Sequence, residues 1–155
     1  MTLGDWQQHG WLKAHQASPQ EVADLLALAE RDLKDCRAKG LSDDWKFSIA
    51  YNAALQSSNA ALVASGYSVA KGESNHFRVI QSLAHTIGLE ANSVASFDDR
   101  RKRRSMSIYD AAGVITKAEA NQMVDFATRL LAMVRQWLED QHPELVDRTS
   151  RGGPL

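Results

Sequence analysis

Residues 41–67 read LSDDWKFSIAYNAALQSSNAALVASGY, and the way this stretch packs decides the fold. Ser42 is suited to cap a helix, and Asp43 and Asp44 fall in the first turn, where the positive end of the helix dipole favours acids. Gly66 supplies the stop. Between them, Ala50, Ala53, Ala54, Ser57, Ala61 and Ala64 are small enough to let neighbouring helices approach closely. The expectation is the central helix of a compact bundle.

Working outward, Ser18, Pro19 and Glu21 form a helix start with a capping box. Val22, Leu25, Leu26, Ala29, Leu33 and Cys36 then recur at three and four until Lys39 and Gly40 end the helix. Cys36 reads as core filling. Residues 1–17 read as an irregular N-terminal arm in which Trp6, Trp11 and Leu12 are anchors. Downstream, residues 71–75 form a turn, and HFRVIQSLAHTIG (76–88) puts Phe77, Ile80, Leu83, Ala84 and Ile87 on one stripe before Gly88. A fourth helix opens at Asn92 or Ser93 and is lost before Gly113. A second capping box, Thr116 with Glu119, starts a long helix lined by Ala120, Met123, Ala127, Leu130, Val134 and Trp137, which His142 and Pro143 close.

The pattern predicts an all-α fold: a five-helix antiparallel bundle built on a four-helix core over residues 18–142, with a flexible tail at 143–155 and no strand. Only 3 prolines in 155 residues favour helix, and that length suits one domain with its own core. The single cysteine excludes an intrachain disulfide, and the first 15 residues carry no apolar signal core. With no run long enough to span a bilayer, a cytoplasmic protein without membrane attachment is expected.

Lys and Arg number 18 against 19 Asp and Glu, yet residues 100–104, RRKRR, hold five of those 18. The basic charge is local. At about 100° per residue, Val94, Phe97, Arg101, Arg104, Ser105 and Ile108 share about one third of the helix circumference, with Arg103 opposite. Arg101 and Arg104 therefore interrupt an apolar stripe on the side that faces protein. An inward guanidinium needs a partner, since stranding a buried charge costs about 3–5 kcal/mol. Two solutions stand open: pairing with Asp98, Asp110 or another acid, or a cleft in which the two forks meet a phosphate beside Tyr109.

Other chemistry finds no pattern. The five histidines lack metal-ligand spacing, and there is no glycine-rich phosphate loop, nucleophile elbow or HExxH helix, so neither metal nor cofactor is expected. His76 opens the third helix on the side of Ile80 and Leu83. It reads either as a helix-start histidine bonded to backbone or as a catalytic group.

Residues 50–67, the helix beginning NHFRVIQSLAHTIG (75–88) and the arginine-rich helix ending RRSMSIYD together resemble the HEPN domain superfamily of prokaryotic helical proteins. The likeness spans residues 18–140. It implies a homodimeric helical bundle of the kind found among RNA-cleaving toxins, often encoded beside a nucleotidyltransferase antitoxin. It also implies an active motif of Arg followed four to six residues on by His. Carried over, Arg104 takes the arginine position, Ser105 stands where Asn is frequent, and Tyr109 falls where histidine belongs; a second register starts at Arg101. A phenol with a pKa near 10 is a poor general base.

Three readings result. The first is a catalytically degenerate RNA- or nucleotide-binding protein, holding phosphate through Arg101, Lys102, Arg104, Ser105 and Tyr109. The second is an active, metal-independent endoribonuclease toxin of a toxin–antitoxin system, with Arg104 for charge and His76 or Tyr109 for proton transfer. The third is a purely structural dimerisation module whose arginines pair across a twofold axis.

Overall fold

Hydroxyl caps set three helix starts: Ser18, Ser42 and Thr116 each accept the backbone N–H three residues on, from Glu21 (3.1 Å), Trp45 (3.1 Å) and Glu119 (3.0 Å). The computed structural model describes residues 1–70, 75–107 and 113–146. In chain order these form α1 (Leu3–Gln8), β1 (Leu12–Ala14), α2 (Pro19–Asp35), α3 (Asp43–Ala64), β2 (Tyr67–Val69), α4 (Asn75–Ser82), α5 (Ala91–Ser105), α6 (Lys117–Gln141) and a 3₁₀ turn, Pro143–Leu145. The protein is an all-α bundle with one small ribbon.

Helix α3 is the axis. It packs along α2 and α6 and also meets α4 and α5. Its alanines do what their size allows: Ala50, Ala53, Ala54, Ala60 and Ala61 are all completely buried. Buried over most of its circumference, with only a narrow, partly open face along Trp45, Ile49, Asn52, Gln56 and Asn59, the helix shows no single apolar stripe. Ser57 and Ser58, also buried, satisfy their hydroxyls within the helix, donating to the carbonyls of Ala53 (3.1 Å) and Ala54 (2.8 Å). Gly66 ends α3 at φ +95°, a conformation that disfavours any side chain, and turns the chain into β2.

Several expectations are corrected. The N-terminal arm is ordered: Thr2 and Asp5 form a capping box for α1, and Trp6 and Leu12 are buried. A strand also exists, since β1 pairs antiparallel with β2 in the register Leu12 to Val69. Three-residue strands carry too little alternation to be read from sequence. Glu21 does not complete a capping box; its carboxylate meets His15 Nε2 at 2.8 and 3.0 Å. The third expected helix stops at Ser82, short of Gly88, leaving Ala84 exposed. Helix α5 starts after Glu90 with no side-chain cap, where Asn92 or Ser93 had been expected. Of the expected tail, residues 143–146 form the 3₁₀ turn and its end, and Leu145 and Val146 pack against the core. The rest of the tail lies outside the described residues.

Cys36 is fully buried and its thiol donates to the Leu33 carbonyl at 3.2 Å, in keeping with a core role. Near the arginine-rich helix the core is aromatic. Phe97 meets Tyr51 edge-on at 5.8 Å and Phe126 at 5.1 Å.

Close packing on α3 makes two opposite errors costly. Ala61→Leu, which overfills the contact, is expected to lower unfolding free energy by about 1–3 kcal/mol. Phe97→Ala, which empties it, is expected to cost about 3–5 kcal/mol. Urea unfolding followed by circular dichroism measures both.

Candidate functional site: a tyrosine–histidine pair beneath two arginines

Tyr51 is the bulkiest fully buried side chain of the bundle, set on α3 among alanines. A phenol buried this deeply needs a hydrogen-bond partner for its hydroxyl. That partner comes from the first turn of α4: Tyr51 Oη lies 3.1 Å from His76 Nδ1. Burial pushes the phenol up to about 12, against smaller opposing effects of Arg104 and Arg101. The group therefore stays protonated, and we assign its O–H as the donor to Nδ1. A neutral imidazole accepting at Nδ1 carries its proton on Nε2 and has that N–H to donate.

His76 is held below its ordinary value of 6.5, chiefly by burial and then by the charges of Arg104 and Arg101. At neutral pH the ring is uncharged. It is bonded to a phenol, where the sequence left open a backbone bond or a catalytic role.

Helix α5 brings the arginines in. Arg104 places its guanidinium carbon 5.0 Å from the centre of the Tyr51 ring. Its Nε is buried and has no hydrogen-bond partner among the described residues. A buried donor left unmatched costs about 1–3 kcal/mol, and more when charged. Arg101, one turn earlier, takes the other solution: its Nε donates to Asp98 Oδ1 at 2.7 Å, and its guanidinium lies 5.6 Å from the Phe77 ring centre. Asp98 also meets Lys102 Nζ at 3.6 Å, so this one buried carboxylate faces two cations.

Of the residues singled out from sequence, Arg101, Arg104 and His76 converge here. Lys102 shares Asp98 but is largely exposed. Ser105, expected on the inward face, is exposed, because α5 is near its end there and the following residues leave the regular helix. Tyr109, together with Ile108 and Asp110, lies outside the described residues. Tyr51 was missed by sequence reasoning; its signal was a polar-tipped aromatic inside an alanine run.

Arg103 points away from this cluster. It donates to Glu119 Oε2 and Oε1 at 2.7 and 3.0 Å and to the Val114 carbonyl at 2.9 Å. Asp44 accepts from the backbone N–H groups of Gly113 (2.6 Å) and Ile115 (3.2 Å). Together they anchor the chain where it re-enters α6.

The arrangement is electropositive and rich in donors, as suits an oxyanion: Arg104 Nε–H, His76 Nε2–H and the guanidinium of Arg101. Among the described residues no group of His, Cys, Asp and Glu could hold a metal ion. No helix among them is long and apolar enough to cross a membrane. Comparison with known protein families finds no match, and comparison with curated proteins finds none either.

The Arg103 hydrogen bonds, first among several causes, pull the Glu119 carboxyl from 4.5 to about 2. Because the folded value is the lower one, the stabilisation is complete above about pH 4.5 and is lost as pH falls toward 2. Arg103→Gln is expected to return the carboxyl toward 4.5 and to flatten the acid limb of the stability curve. Carboxyl chemical shifts followed through a pH titration measure the first effect, and unfolding at stepped pH the second.

Proposed function

We propose that this protein is a HEPN-like module that binds RNA through its phosphates at the Arg104, Arg101 and His76 cluster, with little or no turnover. The observation carrying this reading is the buried Arg104 Nε, unmatched among the described residues, on a guanidinium that lies against the ring of Tyr51, itself bonded to His76. A phosphate oxygen supplies the missing acceptor, and a bidentate fork suits it. The proton on His76 Nε2 acts in the same sense, donating to an anion.

Resemblance to the HEPN superfamily in the second, third and fourth of the helices read from sequence supports RNA over other phosphate ligands. The same resemblance supports a cytoplasmic homodimer and a nucleotidyltransferase antitoxin as partner.

Cleavage is a second reading, favoured by one observation: His76 and Arg104 both contact Tyr51, so a general base and a charge stabiliser share one site. Against it, Nε2 carries the proton when Tyr51 donates to Nδ1, and a phenol near 12 is a poor acid for the leaving group. Binding is therefore the better match.

Fluorescence anisotropy with a labelled single-stranded RNA at low salt tests both. Arg104→Ala is expected to weaken binding about tenfold or more, the value of a charge-assisted hydrogen bond. A bound phosphate raises the His76 pKa, so wild-type affinity is expected to rise as pH falls below neutrality. His76→Gln keeps the affinity seen at neutral pH and loses that pH dependence. Intact RNA after prolonged incubation removes the ribonuclease reading. Absence of RNA binding, with dimerisation lost in Arg104→Ala, assigns the arginines to a subunit interface instead.

A further inference from the structure

Residues His76, Phe77 and Arg78 are consecutive on the first turns of α4, and about 100° of rotation per residue sends them in three directions. His76 turns to Tyr51. Phe77 has two guanidinium groups near its ring centre, those of Arg101 (5.6 Å) and Arg78 (5.3 Å). The guanidinium carbons of Arg101 and Arg78 are therefore no more than about 11 Å apart.

Arg78 continues the series. Its guanidinium lies 3.7 Å from the centre of the Trp11 ring, and Trp11 stacks on His9 at 4.7 Å with the planes 20° apart. His9 is exposed. Among the described residues no carboxylate pairs with Arg78, although acids are as numerous as bases in the chain. Cations and flat rings thus contact one another in series, Arg101 to Phe77 to Arg78 to Trp11 to His9, with Trp6 also 5.7 Å from Arg78, and the series ends on an exposed imidazole.

A tryptophan and a guanidinium packed at 3.7 Å hold the N-terminal ribbon against α4, which accounts for their being half-buried. It does not account for a cation that meets no acid among the described residues, nor for an exposed histidine stacked flat on the outer end. Alternating positive charge and ring faces match a polymer that alternates phosphates and bases and has its bases unpaired. In a duplex the bases are stacked on one another and offer no face.

We infer that His9, Trp11, Arg78 and Phe77 form a second subsite, contiguous with the Arg104 cluster, that takes the next nucleotides of a single-stranded RNA. Arg78 meets a phosphate, and the outer face of His9 takes a base. This inference rests on the RNA-binding reading above and adds to it: the ligand is a single strand spanning several nucleotides, neither a duplex nor a free nucleotide.

The test is anisotropy on full-length protein with labelled single-stranded RNAs of increasing length and with a hairpin duplex of the same composition. Wild type is expected to gain affinity with length until the strip is covered and to bind the duplex more weakly. His9→Ala, an exposed change that leaves the core alone, is expected to lose about fivefold or more on the longer strands and nothing on the shortest. Arg78→Gln is expected to lose affinity likewise and to reduce the slope of log affinity against log salt by about 0.7, the value of one phosphate contact on a single strand.

If wild type gains affinity with length and neither variant alters that gain or the salt slope, the subsite is overturned while RNA binding at Arg104 stands. Equal affinity of wild type for duplex and single strand also overturns it. If wild type binds no RNA of any length, the underlying reading has failed. Circular dichroism of Arg78→Gln and the unchanged short-strand affinity of both variants separate loss of contact from loss of fold.

Discussion

A phenol hydroxyl sealed inside a helical bundle must find a hydrogen-bond partner, and Tyr51 is the place where this requirement joins the packing to the charged edge. Helix α3 is buried over most of its circumference, so its alanines can be small and silent while the buried phenol of Tyr51 cannot. The partner is His76, which fixes the start of α4 against α3. With α4 set, Phe77 and Arg78 have defined directions, and the N-terminal ribbon has a surface to lie on. Above the same ring, Arg104 gains a π face but no acceptor for its Nε among the described residues. Core packing and an unmatched buried donor thus meet at one residue.

The two inward arginines resolve their problem differently, and the difference organises the site. Arg101 has Asp98 on its own helix, one turn back, in a short, well-matched contact. Asp98 is already shared with Lys102, so it has little left for Arg104. Arg103, on the far side, is consumed by Glu119, whose other task is the capping box of α6. One carboxylate thus starts α6 and ties it to α5. Arg104 is the member of the run whose environment is incomplete, and incompleteness of this kind in a buried donor is a feature that binding can relieve.

Much of this was readable in the chain because its signals are local. The hydroxyl caps at Ser18, Ser42 and Thr116, the stop at Gly66 and the three-residue spacing of Arg101 and Arg104 all act within a turn or two, and all are seen in the structure. What escaped depends on distance along the chain. Tyr51 and His76 are 25 residues apart, and no spacing rule connects them. The β1–β2 ribbon pairs residue 12 with residue 69 through strands too short to alternate visibly. Trp6 and Trp11 were legible as anchors, but their partner Arg78 was not, since a cation packed on an indole leaves no periodic trace. Tyr109, the motif position suggested by resemblance, lies outside the described residues.

The central claim is that Arg104 Nε is a buried donor awaiting an anionic acceptor. It is tested most directly by ¹⁵N-resolved NMR of the arginine Nε–H groups, with the Arg104 resonance assigned from its disappearance in Arg104→Lys. Titration with a short single-stranded RNA is expected to move that resonance downfield and to saturate, as a charge-assisted hydrogen bond to phosphate forms. A resonance that stays in place while RNA is bound, or in RNA excess without any binding, would contradict the account.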